Sequence, residues 1–177
     1  MNLKQRPTMF NNSIVINSIR FILLVLGQVL IFNHMNFMGI INPMIYILFV
    51  YWYPLRENMA IFLLSSFLLG FTIDLFSDTM ALHSTAILTM AFARPILMRF
   101  CFGANFEFQG FTFNNTTRVQ RMTFLGLLIV FHHLIFFSLE LLSFSHFLLI
   151  LKKVLFTGVA TFLISLLLSS LFAKETE

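Results

Sequence analysis

Asp74 and Asp78 stand four residues apart at the end of a long apolar run, and with Ser66 and Gly70 they recur at every fourth position. On an α-helix that interval makes one small and acidic stripe, flanked by Phe62, Leu63, Phe67, Leu68, Phe71 and Leu75. Carboxylates so placed allow three uses: a cation or proton site, a receiver for a basic residue of a partner, or a turn and helix-terminus role. Asp78 precedes the next apolar run and reads as its N-cap. Asp74, one turn deeper, reads either as a structural ion pair or hydrogen bond inside a bundle or as a contact for a partner or ligand. His83 is placed to hydrogen-bond to the Asp78 carboxylate or to cap the turn.

Other chemistry is sparse. His132 and His133 are adjacent, so on a helix their side chains diverge by about 100° and do not readily share one metal ion; a structural or interfacial role is expected, and no metal site. One cysteine, Cys101, rules out an internal disulfide and a multi-cysteine cluster. The chain has no phosphate-binding loop, no His-Glu-x-x-His and no nucleophile elbow. A membrane hydrolase would need a nucleophile with its base, and the Ser and His residues show no such spacing. No catalytic residue and no cofactor is expected.

The elements that must position these residues are set by composition. Of 177 residues, 59% are hydrophobic and only 10% are charged, with a mean hydropathy of +0.91. That is an integral membrane protein: a soluble domain carries about 25% charged residues. At roughly 20 residues per membrane helix, the length admits five or six spans and no sizeable aqueous domain. The 25 Phe and 10 Met suit lipid-facing and gap-filling positions in a bundle. The formal charge of +4 reads as membrane topology, not as nucleic-acid binding.

The predicted fold is all-α, one integral membrane domain over 1–177 with six transmembrane helices near 13–32, 38–54, 59–76, 80–100, 120–142 and 146–172. Residues 1–12 read as a polar tail. Arg20 in helix one is expected to snorkel toward the headgroups or to form an ion pair in the bundle. Asn42-Pro43 opens helix two, with Asn as cap and Pro at the first helical position, and Tyr51-Trp52-Tyr53 closes it at an interface. That helix is short, so it either starts before Asn42 or lies partly covered by its neighbours. Helix four carries Ala81, Thr85, Thr89 and Ala93 at four-residue spacing, a stripe that admits another helix closely; the expected neighbour is the Ser66-Gly70 face of helix three. Arg94-Pro95 is expected to interrupt its last turns, with Arg99 following. Residues 101–119, rich in Phe, read as an amphipathic loop on the inner leaflet. Helix five aligns Gly126, His133 and Glu140, and helix six carries a polar stripe of Thr157, Thr161, Ser165 and Ser169. With six spans, nine of the eleven basic residues fall on the side of the termini, leaving Lys152 and Lys153 opposite. Both termini are therefore expected in the cytoplasm.

The stretch Gly70-x-x-x-Asp74-Leu75-Phe76-Ser77-Asp78, followed by His83 and Arg94-Pro95, resembles the rod shape-determining protein MreD family of bacteria. Asn42-Pro43 and Trp52-Tyr53-Pro54 extend the likeness, as do helix number and order. The resemblance implies a non-enzymatic component of the elongation machinery that builds lateral peptidoglycan, in the bacterial cytoplasmic (inner) membrane. The implied partners are the membrane protein MreC, the glycosyltransferase RodA, a class B penicillin-binding protein and the MreB filaments. Gly70, Asp74, Asp78, His83, Arg94, Pro95 and Arg99 would be partner-binding or structural polar residues. The family's bundle is also similar to the substrate-binding components of energy-coupling-factor transporters, which makes a vitamin-binding transporter subunit the alternative. Such a subunit would need an outward pocket with convergent polar groups.

Overall fold

The computed structural model describes residues 7–35, 41–55, 57–103, 111, 113–141 and 147–172. They form six α-helices: α1 (Pro7–Leu30), α2 (Ile47–Trp52), α3 (Met59–Ser77), α4 (Leu82–Phe102), α5 (Arg118–Leu141) and α6 (Phe147–Phe172), with 3₁₀ turns at Phe32–His34 and Phe113–Asn115. Five stretches are long and apolar enough to cross a membrane: Ile14–His34, Met59–Ser77, Leu82–Phe102, Arg118–Leu141 and Phe147–Leu171. Their outward faces carry Ile, Leu and Phe side chains in quantity, Leu30, Leu75, Phe76, Phe92, Ile96 and Leu171 among them. This is the surface of a multi-pass membrane protein, in which hydrocarbon and not water covers the apolar side chains.

Successive helices α3, α4, α5 and α6 pack on one another in order, and α1 packs on α3 and α2. The core sits at α2 and its lead-in: Met44, Ile45, Tyr46, Ile47, Leu48, Phe49 and Val50 are all buried. Helix two is thus much shorter than the predicted 38–54. Of the two sequence-based explanations, cover by neighbouring helices is the observed one, and residues 36–40 lie outside the described residues. Asn42 does not cap α2. The helix begins after Tyr46, which has no side-chain cap, and Asn42-Pro43 belongs to an irregular stretch before it. Gln28 and Arg20 of α1 meet residues 43–45 and 52 in reverse order, so the segment runs antiparallel to α1.

Other boundaries moved for local reasons. Helix α1 begins at Pro7, well inside the stretch expected as a tail, because proline at a first helical turn loses a donor that has no partner anyway; residues 1–6 lie outside the described residues. Asn58 caps α3, accepting from the Ala60 N–H at 2.8 Å. α4 continues through Arg94-Pro95 to Phe102, so the expected interruption is absent: Pro95 lies on the exposed face, where its helical φ fits and only one ladder bond is lost. In the loop expected to rest on lipid, Phe111 and Phe113 turn inward instead, packing edgewise on Phe102, with Phe113 also stacked on Phe124. Burying two aromatic rings on the bundle end removes more apolar surface from water than resting at the headgroups. Residues 104–110 and 112 lie outside the described residues.

Candidate functional site

Asp74 is the hub of the α3–α4 junction. Its side chain is buried and receives four hydrogen bonds: from Thr79 Oγ1 at 2.5 Å, the His83 N–H at 2.9 Å, the Ser84 N–H at 2.8 Å and Ser84 Oγ at 2.6 Å. The first turn of a helix leaves backbone N–H groups unpaired, and an N-cap side chain ordinarily takes them. At α4 the cap position is Ala81, which has no side chain to offer and sits in the left-handed region at φ 60°. A carboxylate from the neighbouring helix does that work instead, at the end where the helix dipole favours a negative charge. Asp78, expected as the N-cap, is the left-handed C-cap of α3 with φ 53°, its N–H bonded to the Asp74 carbonyl; its side chain is exposed. The geometric reason is distance along the chain: the tight turn aims Asp78 outward, while one turn back Asp74 faces the start of α4.

Gly70 makes that geometry possible. A Cβ added there would lie 2.5 Å from Ser84 Cα and 2.7 Å from Ser84 N, so the two backbones touch. The small-residue stripe Ala81, Thr85, Thr89 and Ala93 is not the face that meets Gly70. That face is Ser84, Ile87 and Ala91, all buried, whereas Ala81 and Thr85 are exposed and Thr89 and Ala93 half-buried. One residue of offset turns a helix face by about 100°. Thr89 returns its hydroxyl to the Thr85 carbonyl at 2.7 Å, which lets a hydroxyl sit on an outward face without an external partner.

His83 bonds to Asp74 through its backbone; its ring turns elsewhere, away from Asp78. Tyr46, fully buried, places its hydroxyl 2.8 Å from His83 Nδ1 and 2.8 Å from His132 Nε2, with both imidazoles edge-on to the phenol. A hydroxyl has one proton, so it donates to one ring and accepts from the other. His133 points differently: Nδ1 lies 2.8 Å from the Ile129 carbonyl and Nε2 lies 3.3 Å from Thr161 Oγ1. The two histidines therefore serve separate partners, as the divergence of adjacent positions dictates.

The buried α2 segment is pinned at both ends by other helices. Gln28 donates to the Pro43 carbonyl at 3.1 Å and accepts from the Ile45 N–H at 2.8 Å, while Thr161 accepts from the Met44 N–H at 3.1 Å. In hydrocarbon an irregular backbone survives only when its polar groups are satisfied by protein. At the other end Arg20 donates to the Trp52 carbonyl at 3.0 Å and lies over the Trp52 ring, and Arg94 donates to the Tyr53 carbonyl at 2.6 Å and lies over Phe62. Arg20 joins no ion pair within the described residues; it donates to the carbonyl at a helix end, where cations are favoured.

Arg99 and Pro95 are exposed and lie away from the Asp74 junction. On α6, Thr157, Thr161 and Ser165 are buried as the polar stripe implied. Glu140 is exposed and pairs with Lys153 at 2.7 Å. Sequence reasoning places Gln28 on one side of helix one with Asn17, Arg20 and Gly27 but gives it no partner, and it misses Tyr46 and Ser84. Tyr46 carried a signal as a lone hydrogen-bonding side chain within an apolar run; Ser84 had none beyond its neighbours. Comparison with protein-family models, with curated proteins and with solved structures finds no match to this chain.

Proposed function

We propose that the chain is a non-enzymatic scaffold of the cell-wall elongation machinery, acting in rod shape determination and lateral peptidoglycan synthesis. On this reading it lies in the bacterial cytoplasmic membrane with both termini inside, in a six-helix fold like that of energy-coupling-factor substrate-binding components. MreC would be its direct partner, with RodA, a class B penicillin-binding protein and MreB beyond. The observation that carries the reading is the stripe Ala81-Thr85-Thr89-Ala93. It faces outward from a helix whose opposite side is locked to α3 through Gly70 and Asp74. With little hydrophobic drive between helices in lipid, a rigid face of small residues is what a partner's transmembrane helix packs on. The residues that carry the resemblance, Asn42-Pro43, Gly70, Asp74 and Arg94, then act behind that face by holding it still.

A vitamin-binding transporter subunit is the rival, and the irregular stretch before α2 favours it, since broken helices line ligand sites in many transporters. Against it, the backbone groups of Pro43, Met44 and Ile45 are already taken by Gln28 and Thr161. Native mass spectrometry of the protein gently extracted from its own membrane separates the two. Co-purification of a single-span protein and wall synthases, lost on Thr85→Leu with Thr89→Leu, supports the scaffold. Recovery alone with a bound small molecule overturns it.

A further inference from the structure

We propose that the buried Tyr46 hydroxyl is a proton-sensitive latch, holding the lead-in of α2 to α4 and α5 only while His83 and His132 are both neutral. The hydroxyl lies 2.8 Å from His83 Nδ1 and 2.8 Å from His132 Nε2. Two protons therefore serve both bonds, the phenol's own and one from a ring. The structure also orders them. His132 is fully buried, and its Nδ1 has no hydrogen-bond partner among the described residues. A proton on that nitrogen would be a stranded donor, which is costly in a dry core. With the proton on Nε2, Nδ1 keeps only a lone pair, and the ring takes the tautomer that a free neutral histidine prefers. The order is then His132 Nε2–H to the Tyr46 oxygen, and the Tyr46 O–H to His83 Nδ1. His133 takes the opposite tautomer. Its Nδ1 faces the Ile129 carbonyl, which only an N–H can satisfy, so its Nε2 receives the hydroxyl proton of Thr161, and Thr161 takes the Met44 N–H.

A further proton finds no acceptor in this arrangement. On His83 Nδ1 it would meet the phenol proton head-on. The hydroxyl then has to turn toward His132 Nε2, which already carries a proton, unless His132 moves that proton to Nδ1 and strands it there. Either way one hydrogen bond is lost and a charge is left in a dry core. Among the described residues, the titratable groups facing the junction do not repair this. Asp74 of α3 is near, but its two oxygens already take four hydrogen bonds, two of them from the His83 and Ser84 N–H groups, which fills the lone pairs of a carboxylate. His133 of α5 is committed to Ile129 and Thr161, and Phe136 of α5 lays only an apolar ring against His83. Thr161 of α6 and Gln28 of α1 hold the neighbouring backbone and do not titrate. His83 is where a proton enters: it is 5% exposed, Tyr46 and His132 are fully buried, and His83 stands three residues from the exposed Met80 at the bundle end. Opening there frees the segment from two helices at once. The proposal is independent of which protein, if any, docks on α4.

The test is hydrogen–deuterium exchange of the detergent-released full chain, read by mass spectrometry over residues 41–52 and corrected for the intrinsic pH dependence of exchange. A histidine that is neutral in the closed latch and titrates at its ordinary value of about 6.5 in the open one favours opening by about thirtyfold at about pH 5. The latch is thus closed above that value and loosens as the pH falls through it, still above the ordinary carboxylate range of about 4. Exchange in this segment is expected to be at least about tenfold faster at about pH 5 than at about pH 8. The double variant His83→Asn with His132→Gln, which places an uncharged acceptor and an uncharged donor beside Tyr46, is expected to exchange alike at both pH values; thermal melts confirm its folding. Equal exchange by the parent at both pH values overturns the proposal, as does a rise that persists in the folded double variant. The parent alone supplies a second reading, from ¹⁵N NMR of histidine-labelled protein at about pH 8. His132 protonated on Nε2 and His133 on Nδ1 is the expected result. His132 protonated on Nδ1 overturns the proposal, because His83 would then donate from Nδ1 and could take a further proton on Nε2 without breaking the latch.

Discussion

Gly70→Ala should be the most damaging one-carbon change in the chain. The added Cβ would lie 2.5 Å from Ser84 Cα, 2.7 Å from Ser84 N and 2.7 Å from Ile87 Cγ2. Carbon atoms in good contact sit at about 3.5–4.0 Å, so α3 and α4 must part by about 1 Å. Backbone atoms cannot rotate away as a side chain can. That displacement also acts on Asp74, whose bonds to the His83 and Ser84 N–H groups measure 2.9 and 2.8 Å; stretched by about 1 Å they leave hydrogen-bond range. Overpacking costs about 1–3 kcal/mol, and weakening charge-assisted bonds in the interior adds about 1.5–3 kcal/mol. The sum, about 2.5–6 kcal/mol, is a large part of an ordinary protein's total stability of about 5–15 kcal/mol. Thermal unfolding in detergent, followed by the fluorescence of Trp52, the chain's single tryptophan, gives the reading. Other glycines supply the scale. Gly27→Ala meets only the tip of the Ile45 side chain at 3.1 Å, and Gly126→Ala and Gly158→Ala meet side chains at ordinary distances of 3.8 and 3.7 Å. The expected order of damage is Gly70 well above Gly27, with Gly126 and Gly158 near zero or slightly stabilised. A Gly70→Ala protein as stable as Gly126→Ala would refute the close-approach argument.

Asp74→Ala removes the acceptor for four donors and should cost about 3–6 kcal/mol, while Asp78→Ala, at an exposed position, should cost under about 1 kcal/mol; partner co-purification should fall in the same order, and equal loss would count against it. Ala81→Gly relieves a non-glycine residue at φ 60° and should raise stability by about 1 kcal/mol, seen as a higher melting temperature. Tyr46→Phe leaves His83 Nδ1 and His132 Nε2 facing no hydroxyl in a dry core and should cost about 2–5 kcal/mol; a melting point matching the parent would show that the two imidazoles find other partners.

Much of the architecture was readable from hydropathy. The start of α3 at Met59, the extents of α5 and α6, and the buried stripe Thr157-Thr161-Ser165 follow from length and spacing. Faces were harder. In a membrane helix Phe and Leu occupy both the lipid side and the core side, so hydrophobicity carries little directional information. Spacing alone therefore sets the stripe beginning at Ala81 against Gly70, whereas Ser84 touches it. Capping is usually local, which points to Asp78 as the N-cap of α4; the carboxylate that caps it comes from inside α3. An apolar run of suitable length reads as a full span, which overestimates α2; the irregular residues before it are held by side chains of other helices, Gln28 and Thr161, which periodicity within the segment does not reveal.

The dependence of Met44 on Thr161, 117 residues later, bears on how the chain is made. When residues 41–52 leave the ribosome, α1 can already supply Gln28 and Arg20, but α4, α5 and α6 do not yet exist. Six helical residues behind an irregular lead-in make a weak signal for insertion, since a stable span needs roughly 20 apolar residues. The segment therefore gains its bond to Thr161 only after α6 has been made. A chain cut short before α6 would keep an unpaired N–H in the middle of its core, so the buried segment is fully satisfied only once α6 is in place.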